Sequence, residues 1–156
     1  MTSRRMMMNA VLMLTLVGAG AELTQANYGS PRQYYSHWQK HPTHNYHYRN
    51  YYYKPRANYS GYKHHYVVYH PSRPKHVYYY NPYKKQYWGR CEIHREGRDE
   101  YSLLPESARK GTLNEIPETA FPKPAPSPAI PEAEDSTPLD LPPDDIPADA
   151  DLAPAA

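Results

Sequence analysis

A single cysteine and a single phenylalanine occur in 156 residues, and no aspartate or glutamate stands between Asn27 and Cys91. One cysteine excludes a disulfide scaffold: Cys91 is either a free thiol, half-buried in a strand, or one half of an intermolecular bridge. Aliphatic side chains are scarce as well. Beyond residue 26, Val, Ile, Leu and Phe together number 14. Burying these, even together with every Tyr and Trp, does not balance the backbone entropy of the whole chain, so a fully packed domain is not expected. Enzymatic signatures are missing too: there is no GxSxG, HExxH, P-loop or GxGxxG motif. His94, Glu96 and Asp99 read as a charged hairpin turn, and the chain is not expected to be an enzyme.

What the chain has instead is 18 Tyr, 18 Pro and 9 His, unevenly placed. From Asn27 to Cys91 there are 11 Lys or Arg, 17 of the Tyr and eight of the His. From Phe121 to Ala156 there are eight acids, one base and ten prolines. A basic aromatic head is thus joined to an acidic proline-rich tail.

The N-terminus has the layout of an export signal. Arg4 and Arg5 precede an apolar run from Met6 to Val17, followed by Gly18, Ala19, Gly20 and Ala21. Cleavage after Ala21 or after Ala26 fits. The run is shorter than the roughly 20 residues needed to span a bilayer, and no transmembrane span is expected after signal removal. Residues 1–26 are therefore read as a signal peptide. The predicted localisation is periplasmic, cell-envelope or extracellular.

Residues 27–76 read as a Tyr/His/basic low-complexity segment. Prolines at 31, 42, 55, 71, 74 and 82 oppose helix, and the expectation is an extended, disordered chain with local Tyr clustering. A loose repeat, Tyr51-Tyr52-Tyr53-Lys54-Pro55 and Tyr78-Tyr79-Tyr80-Asn81-Pro82, has a period of about 27.

Residues 77–121 carry globular patterning. Gln86 to His94 reads as a strand with Trp88, Arg90, Glu92 and His94 on one face and Tyr87, Gly89, Cys91 and Ile93 on the other. Glu100 to Leu104 reads as its hairpin partner and Val77 to Tyr83 as a third strand. A helical turn is placed at Pro105 to Lys110, with Leu103, Leu104, Leu113, Ile116 and Phe121 as a miniature core. Residues 122–156 favour polyproline II and could reach about 100 Å. Such a tail is a solubilising extension or an acidic arm that folds back on the basic head. The predicted fold class is a mostly disordered, low-complexity chain with one small β-hairpin-based unit near residues 77–121.

Two sets of residues carry candidate chemistry. His37, His41, His44, His47, His64, His65, His70 and His76 are imidazole donors that could give weak zinc or copper affinity, although no acidic ligand accompanies them. Arg49, Lys54, Arg56, Lys63, Arg73, Lys75, Lys84 and Lys85 interleave with Tyr, a pattern suited to polyanions, with cations attracting and rings stacking. Nothing in it points to specific nucleic-acid recognition.

From Tyr78 onward, YYYNPYKKQYWGRC, EYSLLPESARKGTLNEIPETAFPKP, PAIPE and LPPDDIP resemble the C-terminal half of small, uncharacterised exported Tyr/Pro-rich proteins of planctomycete bacteria. The resemblance covers about half the chain. It implies export and an envelope setting and no reaction.

These features predict an exported, largely disordered envelope or matrix-type protein, with no required cofactor. It would act through many weak Tyr/His/basic contacts with acidic polysaccharide, an anionic surface or itself. The alternative is a His-rich periplasmic or extracellular zinc or copper binder. Tyr density also suits oxidative cross-linking.

Overall fold

The computed structural model describes residues 29–94 and 100–148. The expected signal segment and turn residues 95–99 lie outside the described residues. The expectation of a mostly disordered, low-complexity chain is overturned: head, hairpin and tail build one antiparallel sheet, curled into a half-barrel.

Its strands are β1 (Gln33–Tyr35), β2 (Gln39–Lys40), β3 (His47–Tyr53), β4 (Lys63–Tyr69), β5 (His76–Asn81), β6 (Gln86–Glu92), β7 (Glu100–Leu103) and β8 (Ala125–Pro126). The order is β1-β3-β4-β5-β6-β7-β8, with β2 also pairing β3. The head prolines at 31, 42, 55, 71, 74 and 82 all fall outside the strands. They punctuate the sheet rather than break it, because a missing N–H costs nothing in a turn.

Tyrosine supplies the core that the aliphatic count did not. In β3, His47, Arg49, Tyr51 and Tyr53 are buried, while Tyr48, Asn50 and Tyr52 are half-buried on the other face. The β3–β4 register sets Arg49 against Val67 and His47 against Tyr69, and the β4–β5 register sets Val67 against Tyr79. This first face gathers Tyr51, Tyr53, Val67, Tyr69, Val77, Tyr79, Trp88, Cys91 and Tyr101. Each buried Tyr brings on the order of 200 Å² of surface and a hydroxyl that needs a partner. Tyr51 donates to Gln33 Oε1 at 2.6 Å, and the hydroxyls of Tyr35 and Tyr79 lie 2.7 Å apart.

The tail covers this face, so it is not an extended solubilising arm. Ile130 and Leu139 are buried in the tyrosine core, with Ala133, Leu141 and Ile146 packed against it. Ala129 bridges Pro138, and Gln33 ties β1 to the tail through Pro138 O at 3.0 Å and the Asp140 amide at 3.0 Å.

One strand departs from simple alternation. Tyr79 pairs with Gly89 but Tyr80 pairs with Tyr87, so Trp88 is the extra residue of a β-bulge. The bulge swings Trp88 onto the face of Gly89 and Cys91, opposite to the expected side. At the β5–β6 turn, Asn81 Oδ1 accepts from the Tyr83 and Lys84 amides at 2.9 and 3.1 Å, and Lys85 closes the turn at φ 53°.

The second face carries a smaller core of Tyr78, Leu104, Leu113, Ile116 and Phe121. Leu103, expected in it, is 40 % exposed instead. Short 3₁₀ turns at Glu106–Ala108, Leu113–Glu115 and Glu118–Ala120 lay this segment over the β5–β7 end of the sheet. The β3–β4 end of that face is left uncovered by it.

Candidate functional site: a tyrosine-lined cleft

The eight cations read as polyanion contacts divide sharply. Arg49 is 2 % exposed, with its guanidinium 3.9 Å over the Trp38 ring and 2.7 Å from Asp145. Lys63 pairs with Glu132, Arg56 with Glu134 at 3.9 Å, and Arg73 with Glu118 at 3.8 Å. Lys54 bonds Ser30 at 2.7 Å and lies 4.9 Å over the Tyr62 ring. Lys75, Lys84 and Lys85 stay exposed and form no ion pair among the described residues. Much of the head's positive charge is therefore matched by the chain's own acids.

Arg32, absent from that set, anchors the tail most fully. It donates to the Lys54 and Pro55 carbonyls at 3.1 and 2.8 Å, to Thr137 at 2.8 Å, and forks onto both carboxylate oxygens of Asp135. That fork, with two bonds from Thr137, holds the Asp135 carboxyl well below the usual carboxylate range.

The eight histidines are dispersed through the fold. His47 and His65 are buried on the first face, His64, His70 and His76 are half-buried, and His37 and His44 are exposed. Among the described residues no three His, Cys, Asp or Glu come together in a way that could hold a metal ion. His65 has its pKa pushed down to about 3, chiefly by burial and then by His64, Lys63 and Lys84. His41 and His44 make a close imidazole pair, with centroids 4.7 Å apart. His41 Nδ1 accepts from the Thr43 and His44 amides at 3.2 and 3.1 Å, so it caps the 41–46 loop.

That loop forms one end of a cleft of about 390 Å³ on the second sheet face, lined by His41, Tyr46, Tyr48, Tyr66, Val68, Tyr80, Tyr87 and Gly111. Alternation places the walls: Tyr48 on β3, Tyr66 and Val68 on β4, Tyr80 on β5 and Tyr87 on β6 all point to this side. Tyr48 and Tyr66 meet edge to face at 5.7 Å, and Tyr80 and Tyr87 do so at 5.0 Å. The far rim is fixed by the Tyr87 amide, which donates to Lys110 O at 2.8 Å, and by Gly111, where a Cβ would lie 3.0 Å from Lys85 O.

The phenol groups converge. Burial raises the Tyr46 pKa first, and the neighbouring phenols of Tyr48, Tyr80 and Tyr66 raise it further. Tyr87 is raised by burial and then by Tyr46 and Tyr80. At neutral pH the cleft therefore offers the protonated hydroxyls of Tyr46 and Tyr87, each able to donate and accept, among flat apolar rings. Among the described residues, none that lines it is acidic.

A second hollow of about 360 Å³ lies on the first face, between Lys84, Trp88 and Arg109 and the tail from Pro128 to Ala133. Glu132, already paired with Lys63, stands in its wall.

None of the cleft's tyrosines stood out in the sequence as a site residue. They are scattered over 42 positions, from Tyr46 to Tyr87, and share a face only through strand register. Among the described residues no helix is long and apolar enough to cross a membrane. No family model, no curated protein and no solved structure matches the chain.

Proposed function

We propose that the protein is an exported, non-catalytic binding module that holds an acidic polysaccharide of the cell envelope or its surroundings in the tyrosine-lined cleft. The observation that carries this reading is the lining itself: five Tyr, His41, Val68 and Gly111, with no carboxylate among the described residues. Sugar rings present C–H faces that stack on phenol rings, and hydroxyls that exchange hydrogen bonds with phenol hydroxyls. A volume of about 390 Å³ suits a short stretch of such a chain.

Charge permits an acidic glycan: the tail that carries the acids of residues 132–145 packs through Ile130 and Leu139 against the opposite face, and Lys85 and Lys110 border the cleft only through backbone oxygens. Export is supported by Arg4 and Arg5, the apolar run Met6–Val17 and the small residues after it. The resemblance read from Tyr78 onward would imply the same setting.

Calorimetric titration of residues 27–156 with alginate oligosaccharide tests the proposal. Tyr66→Ala should weaken binding about tenfold, as expected for one stacked ring worth about 1.4 kcal/mol. Raising salt to about 1 M should weaken binding further, because screening then shortens to about 3 Å. Unchanged affinity in the Tyr66→Ala variant would remove the cleft from the account.

A further inference from the structure

Away from the cleft, the same sheet face carries a second tyrosine group at its outer edge. Tyr34 on β1 stands directly opposite Tyr52 on β3, and their rings stack at 4.9 Å with 23° between planes. Tyr62 meets Tyr34 edge-on at 5.0 Å and Tyr52 at 6.3 Å. Tyr34 is 39 % exposed. The other stacked tyrosine pair among the described residues, Tyr51 and Tyr53, is fully buried.

We propose that Tyr34 and Tyr52 form an oxidative cross-linking site, at which a peroxide-driven one-electron oxidant joins β1 covalently to β3. Stacked cross-strand phenols with centroids 4.9 Å apart hold the two rings side by side on neighbouring strands, so side-chain rotation brings carbons ortho to oxygen together. Each phenol loses one electron and its hydroxyl proton. The two radicals then form a bond between ortho carbons, and each of those carbons gives up its hydrogen as a proton while the phenol oxygens are reprotonated. The protein loses two hydrogen atoms in all. Hydrogen peroxide takes up the two electrons and two protons, its O–O bond breaks, and two waters result.

Proximity and exposure make different demands here. Tyr83 is the more exposed, at 58 %, yet its ring neighbours are His64 and His65 and not another tyrosine. Among the described residues a radical formed on Tyr83 has no phenol partner at ring-contact distance, whereas Tyr34 has two. The bond would also serve this chain specifically: β1 is a three-residue strand at the end of the sheet, and one cysteine cannot staple it. The site is independent of the glycan reading, since it uses none of the cleft residues.

The test is to treat dilute residues 27–156 with a haem peroxidase and hydrogen peroxide. Dityrosine fluorescence and the masses of proteolytic peptides are then read. The expected product is a monomer lighter by two hydrogens, with the Tyr34 peptide joined to the Tyr52 peptide and a raised melting temperature. Tyr34→Phe keeps the ring and the stacking but should lose most of the intramolecular signal, and Tyr52→Phe should match it. Tyr83→Phe should keep the signal in full. Cross-links found only between chains, or intramolecular signal that survives both Tyr34→Phe and Tyr52→Phe, would overturn the proposal.

Discussion

Gly89 and Tyr101 compete for one volume. The Tyr101 ring on β7 lies flat against the Gly89 backbone on β6, and a Cβ built on Gly89 would sit 2.1 Å from the Tyr101 hydroxyl oxygen and 2.5 Å from Cζ. The ring is 1 % exposed and packs 5.2 Å from Tyr79 and 5.6 Å from Trp88. Glycine is thus the condition for a buried tyrosine on the next strand. Gly89→Ala should destabilise the fold by about 1–3 kcal/mol, the usual cost of overpacking. In urea unfolding, Gly89→Ala made on a Tyr101→Ala background should cost much less. Strict additivity of the two losses would mean that the ring does not occupy that space.

The two arginines Arg49 and Arg56 share a sequence signature, each beside Tyr-rich segments, but occupy different environments. Arg49 is buried between Trp38 and Asp145, whereas the Arg56 and Glu134 side chains are 59 % and 76 % exposed. Arg49→Ala should cost about 2–4 kcal/mol, through lost packing and a lost charged hydrogen bond. Arg56→Ala should stay within about 0.5 kcal/mol. Chemical denaturation of the two variants checks the contrast.

Acid should loosen the fold before any carboxylate of ordinary pKa titrates. His65 is held neutral, with a folded pKa of about 3 against an ordinary 6.5. Between those values the unfolded chain binds the extra proton, so stability falls as pH drops through that window and is complete above it. The slope from one such group approaches about 1.4 kcal/mol per pH unit. His70 and His76, also lowered mainly by burial, add in the same direction. His65→Phe should flatten the slope of melting temperature against pH between about 6.5 and 4.

At high pH the direction reverses. Burial raises the phenols of Tyr35, Tyr79 and Tyr101 far above the ordinary value of 10. Above about pH 10 the unfolded chain ionises these groups and the folded chain does not, so stability is lost as pH rises further. A spectrophotometric titration should leave the phenols of Tyr35, Tyr79 and Tyr101 un-ionised well past pH 10. A later cooperative step should coincide with loss of the β-sheet signal. One smooth titration of all tyrosines in a folded protein would contradict the tyrosine core.

The hairpin of β6 and β7 and the neighbouring β5 were legible in the sequence, because Trp, Ile, Val and Leu alternate there between turn residues. Charge blocks also allowed a folded-back tail, though as one of two alternatives. What the sequence concealed was the role of tyrosine. Tyr51, Tyr53, Tyr79 and Tyr101 are fully buried although the strands that carry them read as polar, so the pattern did not mark them as a core. The string HYRNYYY alternates correctly for a half-buried strand, but only the tail's Ile130 and Leu139 make its inward face a core. The Trp88 bulge had no local mark beyond the adjacent glycine. The cleft was hidden for a related reason: Tyr48, Tyr66, Tyr80 and Tyr87 become neighbours only after four strands are placed in register.

The most direct measurement is a two-dimensional amide NMR titration of residues 27–156 with alginate oligosaccharide, alongside a neutral dextran control. The account predicts shifts confined to residues around His41, Tyr46, Tyr48, Tyr66, Tyr80, Tyr87 and Gly111, with dextran weaker. Shifts that leave those residues untouched and follow only the exposed Lys75, Lys84 and Lys85 would contradict it.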